Sequence, residues 1–122
     1  MIGSIPAITA ASWSAEGTRL AVAGETGSIE ILDGRLDVLC MPDGSFGPSP
    51  VLCWAGESIL VVADRTTSTL VAIDASGRTL WRTEVPRLLT SLSIAGGMIA
   101  VGGRRSAPFT VGLERGDSLT AH

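Results

Sequence analysis

Apolar residues along this chain fall in short runs, and turns rich in Gly, Asp and Ser separate them. The run "SILVVAD" (58–64) is nearly continuous, which suits a strand buried on both faces. "AEG", "DG", "AGE", "ASGR", "AGG" and "ERGD" lie between runs and supply the positive φ of tight hairpins. No segment holds a helical period of useful length. The pattern predicts strands near Ile8–Ser14, Arg19–Gly24, Ser28–Asp33 and Leu36–Met41. A second set is expected near Pro50–Ala55, Ser58–Asp64, Ser68–Asp74 and Thr79–Val85. A third is expected near Leu89–Ala95, Met98–Arg104, Pro108–Glu114 and Asp117–Ala121.

The three sets are copies of one unit. Trp13, Trp54 and Ile94 are equivalent, with spacings of 41 and 40. Leu20, Leu60 and Ile99 open the next run, 40 and 39 apart. Asp33, Asp74 and Glu114 close the third run, 41 and 40 apart. Four antiparallel strands recurring every ~40 residues read as β-propeller blades. The expected architecture is all-β: one partial propeller domain over residues 1–122, with blades at approximately 6–46, 47–86 and 87–122.

The first unit, "AASWSAEGTRLAVAGETGSIEILD", resembles a WD40 repeat in its order of strand, "S-x-D-G"-like turn, strand, "D-G-T"-like turn and strand. It departs from that family at the ends. The closing pairs are Leu32–Asp33, Ile73–Asp74 and Leu113–Glu114 where the family has Trp–Asp, and the Gly–His pair is missing. The family's buried Asp–His–Ser–Trp network is therefore not expected. The second unit is similar to quinoprotein-type repeats in Ala72, Asp74, Gly77 and Trp81. This similarity is one of repeat geometry and implies no cofactor. Asp33, Asp74 and Glu114 recur where a third strand turns, and Asp there hydrogen-bonds the following backbone.

Three blades fall short of the four to eight of a closed ring. An isolated arc leaves two outer sheet faces open, and such faces mark interfaces. The expectation is that blades of another chain complete the ring. Two copies give six blades under two-fold symmetry, with a partner propeller or a longer parent chain as the alternatives.

Composition narrows the chemistry. The hydrophobic fraction is 45% and mean hydropathy +0.39, which fits a chain that hides surface in an assembly. Net charge is −3, which argues against nucleic acid as the main partner. No apolar run approaches the ~20 residues of a membrane span. The apolar start has no basic residue ahead of it and makes a poor signal peptide, so the expected location is cytoplasmic. All nine basic residues are Arg, and Lys, Asn, Gln and Tyr are absent. The lack of Lys excludes a P-loop or Schiff-base mechanism. The one His is His122, the last residue, which argues against a His base, a triad or a His-rich metal site. Cys40 and Cys53 read as reduced thiols in strands, and two thiolates alone do not complete a zinc site. No carboxylate pair stands out as acid and base. No catalytic, cofactor-binding or metal residue is expected.

Propeller topology sorts the loops onto two faces. One gathers residues 24–27, 41–50, 64–68, 85–88 and 103–108, with the prolines. These longer, stiffer loops make it the candidate recognition face. Its candidates are Glu25, Phe46, Asp64, Arg65, Arg87, Arg104 and Arg105. The Arg residues either grip a carboxylate or phosphate, which the guanidinium fork suits, or are solvated charges near Glu25 and Asp64. Phe46, between two glycines, either anchors a partner or tucks against the blades. For Trp13, Trp54 and Trp81 the two readings are packing between blades and sugar platforms of a lectin-like oligomer; aromatics at 4% favour packing. The expected role is a non-catalytic protein-interaction scaffold, with a small-ligand or carbohydrate binder as the alternative.

Overall fold

In a computed structural model of the chain, residues 7–42, 46–85, 91–95, 97–102 and 109–113 are described. They form three antiparallel sheets. The first runs β1 (Ile8–Trp13), β2 (Arg19–Gly24), β3 (Ile29–Asp33) and β4 (Val38–Cys40). The second runs β5 (Val51–Ala55), β6 (Ile59–Asp64), β7 (Thr69–Asp74) and β8 (Thr79–Glu84). The third holds β9 (Ser91–Ala95), β10 (Met98–Gly102) and β11 (Phe109–Gly112). Each sheet is a meander in which neighbours in sequence are neighbours in the ladder. No helix occurs among the described residues. Eleven of the expected strands are present, each with both ends within two residues of its expected bounds. The expected last strand, Asp117–Ala121, lies outside the described residues.

The registers repeat. Trp13 pairs Leu20, Trp54 pairs Leu60 and Ile94 pairs Ile99. The first strands lie side by side, β1 against β5 and β5 against β9, so the three sheets are arranged as successive blades. Leu60 and Val62 of β6 point to the first sheet, joining Ala21, Ala23, Ile29 and Ile31 in one core. Val61 and Ala63 point to the third, joining Ile99, Val101 and Val111 in another. This is why "SILVVAD" lacks alternation: the middle blade is covered on both sides, and Leu60 through Ala63 are each 0% exposed.

Turn chemistry follows the repeat. Asp33 Oδ1 accepts from the backbone N–H of Arg35 at 2.8 Å and of Asp37 at 3.0 Å. Asp74 Oδ1 does the same for Ser76 and Arg78, both at 3.0 Å. Gly77 closes the second turn at φ 92°, a left-handed conformation in which a side chain is strained. Glu114, third in the series, lies outside the described residues.

Candidate interaction face and blade seams

The loops that follow β2 and β6 meet the linker between the first two sheets. Asp64, at the end of β6, is 3% exposed. Its Oδ2 accepts from the N–H of Gly47 at 3.0 Å, and its Oδ1 accepts from Thr66 at 3.0 Å and Thr67 at 3.3 Å. Burial pushes this carboxyl up, but the N–H donors of Gly47, Thr67 and Thr66 outweigh it and hold it below the usual carboxylate range. The tied linker sets Phe46 into the core between the first two sheets, 7% exposed. Gly27, at φ 87°, lies against the Phe46 and Gly47 carbonyls, and an added Cβ has no room there.

One open reading is thereby decided and one expected surface candidate corrected. Of the two readings for Phe46 the tucked one holds, because the linker is drawn inward. Asp64 is not a surface charge, because three backbone donors hold it. Glu25 and Arg65 are exposed on this end of the molecule, in the loops after β2 and β6. Arg87, Arg104 and Arg105 lie outside the described residues.

The seams between sheets carry the remaining polar groups. Trp54, 7% exposed, donates its indole N–H to the carbonyl of Ser12 at 2.8 Å. Trp81 donates to the carbonyl of Leu113 at 2.6 Å, joining β8 to the third sheet. Cys40 stands in β4 where Trp81 stands in β8, and its thiol reaches the carbonyl of Ala75 at 3.6 Å. Trp13 differs from Trp54 although their registers match. It is 52% exposed, so within this chain it does not sit between two sheets as Trp54 does. Among the described residues no sheet stands on its side of β1 as the first sheet stands on the side of Trp54.

Glu57 was not singled out by the sequence. It sits in the turn after β5 and takes donors from the first sheet: the Ser14 hydroxyl at 3.0 Å, the Glu16 N–H and the Thr18 hydroxyl. The Glu16 N–H, then the Thr18 hydroxyl, hold its carboxyl low against a smaller opposing effect of burial. The available signal was its recurrence at the place of Glu16 in the first unit, 41 residues earlier.

Among the described residues no group of three His, Cys, Asp or Glu side chains is placed to hold a metal ion. An open hollow of about 490 Å³ is lined by Met41, Ser76, Gly77, Arg78 and Thr79, in which Arg78 is the one ionisable side chain. Cys40 and Cys53 are free and half-buried. Burial raises both thiols, and the charge of Asp74 adds to the effect at Cys40.

No protein-family model and no curated protein matches the chain. Its fold is similar to solved structures. The computationally designed Ika4 protein matches with a TM-score of 0.83 at 16% identity, over 100% of this chain and 76% of that one. The β-propeller domain of Cps50 (Swd1) from Myceliophteria thermophila matches with a TM-score of 0.79 at 16% identity, over 97% of this chain and 39% of that one. BBS1N, solved in complex with ARL6DN, matches with a TM-score of 0.74 at 19% identity, over 93% and 38% respectively. The chain thus spans about two-fifths of the length of the latter two. The three sheets are β-propeller blades.

Proposed function

We propose that this chain is a non-catalytic propeller module serving as a protein-interaction scaffold, its ring completed by blades of a second copy or of a partner propeller. The single observation that carries the reading is the use of the carboxylates. Asp33 and Asp74 brace turns, Asp64 ties a linker and Glu57 binds one sheet to the next. Groups so employed build a rigid surface and leave no acid and base pair free for chemistry among them. The fold neighbour BBS1N was solved with a protein partner, which favours the scaffold over a ligand binder. On this reading the face with Glu25 and Arg65 receives the partner. A cytoplasmic location belongs to the same proposal.

Light scattering of the purified 122-residue chain tests the ring. An assembly of twice 12.5 kDa is expected for two copies. A monomer at every accessible concentration overturns self-completion. A melting shift on adding any of a panel of sugars turns the reading toward the carbohydrate-binding alternative.

A further inference from the structure

Trp54 and Trp13 hold one place in two successive sheets. Each lies at or next to the end of a first strand and pairs with a Leu, Leu60 or Leu20, near the start of the next strand. Trp54 uses that place to cross the seam and donate to Ser12. Ser12 pairs with Ala21, and the two small residues let the indole reach the backbone. The same pair recurs in the third sheet, where Ser93 stands opposite Ala100. The chain therefore holds both halves of one further seam: a half-exposed indole on the first sheet and its small-residue receiver on the third.

We propose that Trp13 of one copy docks on the Ser93–Ala100 row of a second copy and donates to the Ser93 carbonyl, repeating between chains the seam that Trp54 makes with Ser12 within one. This deepens the scaffold reading above and rests on its ring completion. The occupant is a second copy because the chain itself carries the receiver. On the receiving sheet Leu92, Ile94, Ile99 and Val101 already face the second sheet, so Ser93 and Ala100 occupy the opposite side. Ser93 is exposed, and Val38, in the cross-strand row of Trp13, is 42% exposed at its rim. Val22 and Leu32, also on the Trp13 side, are buried within the chain, so the contact centres on the indole. Two copies placed head to tail form two such seams at once. That gives six blades, within the four to eight of closed rings, and a two-fold axis along the channel. Once one seam forms, the second is intramolecular and closes readily.

The test is native mass against concentration for the chain, for Trp13→Ala and for Ser93→Arg. Both sites are exposed, so the variants keep the far-ultraviolet circular dichroism of the parent. Each is expected to raise the dissociation midpoint at least about tenfold, the loss of a buried Trp contact. An equimolar mixture of the two variants is expected to recover a dimer. In it Trp13 of the Ser93→Arg copy meets the intact Ser93 of the other, and the second seam, already broken, loses nothing more. A dimer indifferent to both substitutions overturns this seam and leaves ring completion standing. Weakened variants that do not recover on mixing overturn the head-to-tail pairing. A parent chain that stays monomeric overturns this seam and self-completion together, and leaves a partner propeller to complete the ring.

Discussion

Trp81 and Leu113 are joined by an indole-to-carbonyl hydrogen bond of 2.6 Å that spans two blades. It lies in the outermost strand of the middle sheet, far from the strands that line the arc's inner edge. The seam between these blades is thus held at its outer rim by a polar contact and in its middle by Val61, Ala63, Ile99 and Val101. Trp81→Phe keeps most of the packing and removes the donor. It is expected to cost about 1 kcal/mol, the net worth of one such bond. Urea unfolding reads this as a lower midpoint at unchanged slope.

Asp64 offers a sharper loss. Asp64→Ala strands the N–H groups of Gly47, Thr66 and Thr67, whose acceptor is buried. A destabilisation of about 1–3 kcal/mol is expected, the penalty of unsatisfied buried donors. Phe46 depends on the same tie, so amide exchange at Gly47 should quicken together with exchange in the loop after β6. Unchanged exchange at Gly47 would show that the linker is held by Phe46 alone.

Acid is expected to weaken the fold through the same carboxylates. Glu57, Asp33, Asp74 and Asp64 all have folded-state pKa values below their ordinary ones. Such groups add stability above the unfolded-state pKa, about 4 for Asp and Glu, and lose it as pH falls through the depressed folded value. The melting temperature should therefore hold steady from neutral pH to about 5 and fall below it. Glu57→Gln should flatten part of that fall. A melting temperature that rises between pH 5 and 3 would contradict the assignment.

The repeat made most of this fold legible. Landmarks at constant spacing, such as Leu20, Leu60 and Ile99, fix strand order before any contact is known, because each copy must bury the same row. The ends of strands were less legible, since Asp33 and Asp74 reach past their own strand to brace the turn. Trp13 and Trp54 show the physical limit. Sequence assigns both to one row, but exposure depends on whether a sheet lies opposite, which is information outside the repeat unit. Phe46 shows a second limit. Two flanking glycines allow it to turn either way, and the choice is made by Asp64, 18 residues on in the chain. Glu57 was missed because its partners sit in the preceding blade, in the turn and strand that close on Ser14.

The thiols provide an independent check on the packing. Cys40 and Cys53 are free, half-buried and raised in pKa, chiefly by burial. Since the thiolate is the reactive form, alkylation at pH 7–8 should be slower in the folded chain than in urea at both sites. Cys40 carries the added repulsion of Asp74, so Asp74→Asn should speed its alkylation without affecting Cys53. Equal rates for folded and unfolded chain would mean that these strands open readily.

Gly17 and Gly27 separate backbone strain from lack of space. Both adopt left-handed conformations, at φ 74° and 87°. Around Gly17 nothing lies within 4 Å of an added Cβ, so Gly17→Ala pays conformational strain alone, about 1–2 kcal/mol. Gly27 faces the carbonyls of Phe46 and Gly47, which a Cβ would strike. Those carbonyls are not free to retreat, because the linker is held by Asp64 on one side and by burial of Phe46 on the other. Gly27→Ala therefore adds overpacking to the same strain and should cost about 3 kcal/mol or more. The measurement is the difference in urea midpoints between the two variants. If the linker is the rigid element, adding Asp64→Ala to Gly27→Ala should cost less than the two separate losses combined, since a released linker can move aside. Strict additivity would mean that Asp64 does not hold Phe46 and Gly47 against Gly27.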